Sequence, residues 1–596
     1  VILLNIMQDK LLFKFTVIAD THIRLPDSAE EGGYPSNRLS NDRAKYVVQC
    51  LNRIKPDFVI HLGDLVHPIP ALSNHESAVK IASGIFSELE TKFFALPGNH
   101  DIGDKPNASL PAPVVDEKSH QIFTKYWGPM YQAFTSKNCL FTCIDTPVLN
   151  SGLMREKEQQ IWLENELRVA NESGLRIFVF MHYPLFICEP NEAPHYDNID
   201  EPARTWLLEL FKQYSVEAVF SGHVHNVFVG VHEKTKYYIL PSTSFVRPEY
   251  SELQVVAPGE EFGRNDTAKL GYFIVKVFTG RHEIVPIRTY GEISIHPETT
   301  DKDLLLLTDC KVWMLGVSLR QGWGRRVELA VDGLDEFKRK EAYRDGLLIA
   351  LLELGVTSLR VPLADLANAD VRRRLSDFVR LGFGFTVYSL DSPDEHVLTT
   401  IAAHGALLEN WELIFPEHSI LRAAESVRIA QSVFKGKLFI SPVVPLKKDV
   451  ADKNIFQHFA SHGFSVEQTV KAKKLLSTVN DNSHRVGLTF RVSPWDDHLT
   501  TLREIDRQVK DHKLINLQMP RLNEGKCFDD EKKLEKFIID VYKTSRTMQN
   551  STVFLDTFVD NDRGYYPRIG LLDRRLNPRK AFHALKSVSQ QLSQQI

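Results

Sequence analysis

The sequence predicts an α/β protein in two parts: an N-terminal α/β unit with metal-type side chains at its strand ends, and a C-terminal (β/α)8 barrel. Three observations carry this reading. Short apolar runs alternate with amphipathic helical stretches along most of the chain, the rhythm of α/β folds. In the first half Asp, His and Asn residues recur just past strand-like runs, where open α/β sheets place their ligands. In the second half eight strand–helix units fit into fewer than 300 residues, the count and length of a TIM-like barrel; an open doubly wound sheet is the competing arrangement there.

At 596 residues the chain is too long for one core and calls for two to four domains. Hydrophobic residues at 43% and charged ones at 25% exclude wholesale disorder. A formal net charge of −4 leaves no basic field, so neither a long nucleic acid nor a membrane surface is expected as partner. No apolar run approaches the roughly 20 residues that span a bilayer, and Val1–Asn5 is too short for a signal-peptide core. Cys50, Cys139, Cys143, Cys188, Cys310 and Cys527 are scattered, without C-x-x-C pairs, which points to a reducing cytoplasm.

The elements follow in order. Phe13–Ala19 is a buried strand ending at Asp20-Thr-His22; a helix over Asp42–Ile54 runs into Pro56; Phe58–Leu62 is a strand stopping at Gly63-Asp64. Ala78–Leu89 (helix) and Lys92–Leu96 (strand) lead to Gly98-Asn99-His100-Asp101, and the strands Arg176–Met181 and Ala218–Phe220 end at His182 and Gly222-His223-Val224-His225. Tyr237–Leu240 and the pair Tyr272–Val277 and Glu283–Arg288 close the unit as antiparallel strands. Residues 293–308, with Pro297 and an acidic run, are the expected linker, which sets domains at 1–292 and 309–596. The barrel strands are expected at Val312–Val317, Ser358–Pro362, Phe385–Leu390, Ala406–Trp411, Leu438–Val443, Val486–Val492, Leu514–Met519 and Val553–Phe558.

The chemistry lies in Asp20-x-His22, Gly63-Asp64, Gly98-Asn99-His100-Asp101, His182 and Gly222-His223-x-His225. In extended backbone, residues two apart share a side, so Asp20 with His22, and His223 with His225, can grip one ion. Imidazole, carboxylate and amide oxygen together suit Mn, Fe or Zn rather than Mg or Ca. Asp64 has two oxygens and can bridge two cations, and the glycines let backbone approach the ions. His182 alone reads as an ordinary buried histidine; the set in this order reads as a metal site.

These blocks resemble the calcineurin-like metallophosphoesterases, whose pattern is D-x-H, G-D, G-N-H-D/E, H and G-H-x-H, and the likeness spans Phe13 to Arg288. It implies a β-sandwich flanked by helices and two divalent transition-metal ions about 3.5–4 Å apart. By that resemblance Asp20, His22 and His225 hold one ion and Asn99, His182 and His223 the other, with Asp64 shared. His100 contacts the phosphate and protonates the leaving group, and Asp101 orients His100. Purple acid phosphatases carry D-x-G and G-D-x-x-Y; His22 and His67 stand at those positions here, which disfavours an iron–tyrosinate site. The motif order is more similar to the branch with bacterial cyclic-nucleotide and glycerophosphodiester phosphodiesterases. His67 is either a support for a ligand or an exposed loop histidine.

The expected reaction is hydrolysis of a small phosphodiester by metal-activated hydroxide. The alternatives are a phosphomonoesterase, and a non-catalytic scaffold with a carbohydrate-binding-like barrel. Insertions at Gly103–Lys137, with Phe123, Tyr126, Trp127 and Tyr131, and at Leu185–Pro202, with Glu189, Glu192, His195, Tyr196 and Asp197, are expected as lids. The acidic tilt of the second disfavours dianionic monoesters. Arg247 has two readings, a phosphate contact or a partner for a carboxylate. The end of the chain, Asp573–Phe582, resembles glycoside-hydrolase barrels, but the fourth strand offers Glu409-Asn410 in reversed order and the seventh ends Gln518-Met519-Pro520. Paired carboxylates for glycosidic chemistry are therefore lacking, and the barrel is expected to be non-catalytic, a cap on the metal site or a support for homo-oligomers, with Asp556 and Arg491 at strand ends.

Overall fold

The computed structural model describes residues 10–26, 34–110, 112–301, 304, 310–312, 314–320, 322–330, 333–416, 418–444, 460–479, 485–494, 497–518, 530–560 and 570–593. Val1–Asn5, linker residues 302–303 and 305–308, Met519, Pro520 and Cys527 lie outside them. The chain divides into two compact units, Val1–Asp309 with Arg326–Ile349, and Cys310–Arg325 with Ala350–Ile596. A second domain running unbroken from residue 309 is thus corrected: residues 326–349 leave the barrel's sequence and fold with the first unit.

That first unit is a sandwich of two sheets. One sheet has the order β11-β10-β1-β2-β3, built from β1 (Leu11–Ile18), β2 (Phe58–His61), β3 (Lys92–Ala95), β10 (Gly271–Phe278) and β11 (His282–Arg288). The other runs β4-β5-β6-β7-β9-β8, from β4 (Gln132–Ser136), β5 (Cys139–Cys143), β6 (Arg176–Met181), β7 (Ala218–Ser221), β8 (Phe228–His232) and β9 (Thr235–Ile239). β1, β2 and β3 run parallel, as do β5, β6, β7 and β9. The closing strand β9 is antiparallel to β8 but parallel to β7.

Aromatic side chains lock the sheets face to face. Phe15 of β1 stacks on Phe58 of β2 with ring centroids 5.1 Å apart. It meets Phe141, Phe178, Phe180 and Phe220 of the opposite sheet edge-on at 5.3–6.3 Å. Such pairs add about 0.5–1.5 kcal/mol each beyond burial. Helices cover the outer faces. In α1 (Ser40–Ile54) the buried Ala44, Val47, Val48 and Leu51 form one stripe, and Lys55 ends the helix with φ 51°. α2 (His75–Phe86), α5 (Met154–Glu172) and α6 (Ala203–Gln213) bury Ala82, Leu163 and Leu207 in the same manner. Between them lie the single turn α3 (Asn99–Ile102) and α4 (His120–Trp127).

The aromatic cluster expected in a lid packs into the core instead. Phe123 is buried, and Trp127 meets Phe86 and Phe93 at 6.0 Å. Apolar surface of that size is more stable against α2 than over an open cleft. The excursion contributes the ribbon β13 (Val327–Glu328) and β14 (Glu341–Ala342), whose Leu329 and Ala342 join a buried cluster with Ile187, Phe228 and Tyr250.

In the second unit β12 (Leu315–Ser318), β15 (Ser358–Pro362), β16 (Gly384–Leu390), β17 (Asn410–Phe415), β18 (Lys437–Pro442), β19 (Val486–Val492), β20 (Lys513–Leu517) and β21 (Ser551–Leu555) close into a barrel. Every neighbouring pair is parallel. The fourth strand lies later than Ala406–Trp411, because Gly405–Leu407 forms a 3-10 turn after a helix. Glu409-Asn410 therefore stands at the entry of β17, not at its carboxyl end.

Candidate metal centre

Each ligand predicted from the sequence sits one to four residues beyond a strand: Asp20 and His22 after β1, Asp64 after β2, Asn99 after β3, His182 after β6, and His223 and His225 after β7. The side chains turn inward because the backbone turns sharply. Asp20, His22, Asp64, His223 and His225 all have φ between 45° and 67°, a region costly for residues other than glycine. Glycines make the approach possible: a Cβ on Gly98 would lie 2.2 Å from Asp64 Oδ1, and one on Gly222 2.8 Å from Asp20 Oδ2.

Two groups of donors form around Asp64. The first joins Asp20, His22, Asp64 and His225, and the second Asp64, His182 and His223, ligand atoms in each lying within 4.8 Å of one another. Asp64 Oδ2 is 3.6 Å from His22 Nε2 and Asp64 Oδ1 is 3.4 Å from His182 Nε2, so the carboxylate faces both. His22 Nε2 and His225 Nε2 are 2.9 Å apart, and Asn99 Oδ1 is 3.0 Å from His182 Nε2 and 3.1 Å from His223 Nδ1.

Hydrogen bonds behind the ligands fix their protonation. His182 Nδ1 donates to the Leu62 carbonyl at 2.8 Å and His225 Nδ1 to the Phe245 carbonyl at 3.1 Å, leaving Nε2 of each as a lone pair. Asn99 Nδ2 donates to the Tyr196 hydroxyl at 3.3 Å, which turns Oδ1 to the histidines. His223 Nε2 has no hydrogen-bond partner and stands 3.6 Å from Asp197 Oδ1, so the carboxylate favours the proton there and leaves Nδ1 for a ligand. The lone pairs of His182 Nε2, His225 Nε2 and Asn99 Oδ1 face the interior of the cluster, an arrangement that cations satisfy. The residues present therefore fit two metal ions.

Electrostatics agree. Burial pushes Asp20 up to about 7, and burial with the charges of Asp20 and Asp101 pushes Asp64 up. Burial holds His22, His223 and His225 well below the usual imidazole range and lowers His182 to about 4. Neutral imidazoles around desolvated carboxylates leave a deficit of positive charge.

The two residues expected beside the metals behave differently. His100 lies at the centre, its ring 4.7 Å from that of His22, and its Nδ1 donates to the His67 carbonyl. Burial lowers its pKa to about 4. Asp101 does not orient it, which corrects the expectation. The Asp101 carboxylate accepts from the backbone N–H of Gly98 at 2.8 Å and of Leu65 at 3.1 Å, pinning the Gly98 turn to the Asp64 loop. A carboxylate at the third position of a single helical turn reaches the turn's own N–H groups before a neighbouring ring.

His67 is a support: its Nδ1 is 3.3 Å from His22 Nδ1. Arg247 takes the carboxylate reading, paired with Asp197 and Glu249. The acidic loop is internally neutralised as well. Glu192 accepts from the N–H groups of Ile187 and Cys188 and from His195, and Asp197 is held well below the usual carboxylate range because Arg247 and Lys340 overcome its burial. Its charge therefore gives no electrostatic argument against monoesters. Lys340, from the excursion, was not foreseen: its Nζ is 2.7 Å from Asp197 Oδ2, 2.9 Å from Asp335 Oδ2 and 3.1 Å from Glu249 Oε1.

At its carboxyl strand ends the two-sheet sandwich gathers a donor set suited to metal ions. The calcineurin-like phosphoesterase family model matches residues 13–227, and the N-terminal unit is a calcineurin-like phosphoesterase domain. The serine/threonine-protein phosphatase CPPED1 of Danio rerio is 32% identical over 197 residues, covering 32% of this chain and 61% of that protein. A probable cyclic nucleotide phosphodiesterase of Psychrobacter is 24% identical over 254 residues, covering 41% and 68%. Purple acid phosphatase 1 of Ipomoea batatas is 28% identical over 186 residues, covering 29% and 37%. The chain spans about three fifths of the length of the CPPED1 proteins it matches (58–61%). Among the described residues no helix is long and apolar enough to cross a membrane.

Proposed function

We propose that the N-terminal domain hydrolyses small phosphodiesters at a centre of two divalent transition-metal ions, Mn, Fe or Zn. The carrying observation is the Asp64 carboxylate, whose oxygens lie 3.4 Å from His182 Nε2 and 3.6 Å from His22 Nε2, one facing each donor group. When bound, the cations supply Lewis acidity, lowering the pKa of water toward neutrality and neutralising phosphoryl oxygens. Asp20, His22 and His225 hold one ion, Asn99, His182 and His223 the other, and the Gly98 and Gly222 turns keep side chains out of the space between. His100, with Nδ1 donating to the His67 carbonyl, turns Nε2 toward the phosphoryl group; because burial lowers its pKa to about 4, it would have to take up a proton at Nε2 before it could pass one to the leaving oxygen.

The diester reading is supported by His22 and His67 in the first two blocks and by the Psychrobacter relative's name. The CPPED1 relative favours the second reading, phosphomonoester hydrolysis. The full-length protein, loaded with Mn, is to be assayed on bis-p-nitrophenyl phosphate and on p-nitrophenyl phosphate. A higher kcat/KM for the diester is expected, and a higher value for the monoester overturns the substrate assignment while leaving the metal chemistry intact. The buried, unbridged thiols of Cys50, Cys139 and Cys143 support work in the reducing cytoplasm.

A further inference from the structure

A cavity of about 280 Å³ opens in the first unit, between the inserted segment before β4 and the start of α5. Pockets that take drug-sized molecules begin at about 300 Å³, so this one fits a smaller ligand. Its apolar walls are Met130, Tyr131 and Met154, and the Tyr131 ring is backed by Trp162, with centroids 4.7 Å apart. Met154, 70% exposed, stands at the mouth, whereas Asp145, just past the end of β5, is 1% exposed and lies deepest.

That deep carboxylate is only half satisfied. Asp145 Oδ1 accepts the Val148 N–H at 3.3 Å, and among the described residues nothing donates to Oδ2. The backbone of Asp145 is held on both sides by Gln159: its N–H donates to Oε1 at 2.7 Å and its carbonyl accepts from Nε2 at 2.8 Å. Buried carboxylates are normally paired or fully hydrogen-bonded. Burial pushes Asp145 up to about 7 although the charge of Arg155 opposes the shift. Arg155 does not supply the missing partner. Its Nη1 donates to His120 Nδ1 and its Nη2 to Ser119 Oγ, both at 3.0 Å, so these donors are spent on the start of α4, and its Nε is buried out of reach.

The charges define the ligand's class. Glu117 and Glu158, both exposed, add two carboxylates to the lining, against the single guanidinium of Arg155. Burial and the charges of Glu158 and Asp145 hold the Tyr131 hydroxyl above the usual phenol range, which sets both acids close to that ring. An aromatic face beside carboxylates attracts an organic cation, and methionine side chains adapt to its apolar body. A bare metal ion is disfavoured, because these acids are not among the residue groups whose donor atoms converge closely enough to share one. We propose that this cavity binds a small organic ammonium ion, its N–H groups donating to Asp145 Oδ2 and its short hydrocarbon body lying between Tyr131 and the two methionines.

The test is calorimetric titration of the full-length, Mn-loaded protein at pH 8 with n-butylammonium and phenethylammonium, beside n-butanol and butyrate as uncharged and anionic counterparts. At least one ammonium ion is expected to bind, and neither counterpart. Asp145→Asn keeps Oδ1 for the Val148 N–H and should weaken binding about tenfold or more; Glu158→Gln, on the exposed rim, should weaken it about two- to fivefold. Stripping the metals with a chelator should leave the affinity unchanged, and binding lost with them assigns the amine to the metal centre and overturns the proposal. It is overturned equally if neither ammonium ion binds, if n-butanol binds as tightly, or if Asp145→Asn keeps the parent's affinity. Where Asp145→Asn does not fold, Tyr131→Leu and Glu158→Gln decide: weaker binding in both upholds the site, and unchanged affinity in either overturns it.

Discussion

Replacing Lys340 by Met tests whether the excursion is part of the phosphoesterase domain's structure. Lys340 is 1% exposed on its side chain and touches three carboxylates, Asp197, Asp335 and Glu249, at 2.7–3.1 Å. Burial lowers a lysine's pKa, yet Asp197 and Glu249 raise this one. Removing one partner of a buried ion pair costs about 3–5 kcal/mol, because the remaining charge stays desolvated. For a unit of this size each kcal/mol shifts the melting temperature by about 2–3 °C, so Lys340→Met should lower the first unit's transition by about 6–15 °C. Asp197, 3.6 Å from His223 Nε2, would also lose one of its anchors, so the carboxylate behind a candidate ligand would shift. Differential scanning calorimetry of the full chain, with metal content on the same samples, reads both effects, and Lys340→Arg, which keeps the charge, should recover most of the loss. A shift below about 2 °C, or one confined to the barrel's transition, refutes the reasoning.

Asp64→Asn should leave less than one equivalent of metal by elemental analysis and lower turnover about a thousandfold, several kcal/mol of Lewis-acid stabilisation being lost. Gly98→Ala should disrupt both donor groups with no ligand changed, since its Cβ would lie 2.2 Å from Asp64 Oδ1 and 2.8 Å from His182 Cε1; retention of two equivalents of metal would contradict this. Glu217, bound by Arg176 at 2.6 Å and by His282, has its pKa lowered to about 2 against an ordinary 4.5, these partners outweighing its burial. Its contribution is complete above pH 4.5 and is lost as the pH falls through about 2. Glu217→Gln should therefore flatten the urea-midpoint profile over that window by about 3 kcal/mol, and a variant as acid-sensitive as the parent would count against the pairing.

The clustering of the candidate ligands was legible because each is a local event: a buried strand ends and the next few residues carry the donors, as at Ile18 before Asp20 and Met181 before His182. The barrel was legible for the same reason, strand and helix alternating within short stretches. Errors arose where the decisive contact was distant or local physics had two outcomes. Ala406-Leu407-Leu408 is as apolar as a strand, but its glycine-led turn follows a helix and delays β17. The aromatics from Phe123 to Tyr131 look alike in a lid or a core, and only α2 decides. Asp101 stands next to His100 in sequence, yet backbone N–H groups were nearer. Lys340 lies 143 residues from Asp197, and no periodicity or motif joins them.

The left-handed backbone at Asp20, His22, Asp64, His223 and His225 explains why this site needs the whole sandwich. At roughly 1–2 kcal/mol each, five such residues cost as much as the net stability of an ordinary domain, so the turns cannot hold themselves. They are held by bonds between loops: Asp20 N–H to the Gly63 carbonyl and His22 N–H to the Asp64 carbonyl at 3.1 Å, and Gly222 N–H to the His182 carbonyl at 3.0 Å. Further hydroxyls of Ser242 and Ser244 bind the Asp20 carbonyl at 2.7 and 3.0 Å. Every one of these bonds depends on strand ends being fixed to within a fraction of an ångström, which is what the interlocked phenylalanines between the sheets provide. A looser core would relax the ligand turns before it unfolded the strands, and the lone pairs would no longer converge on the ions.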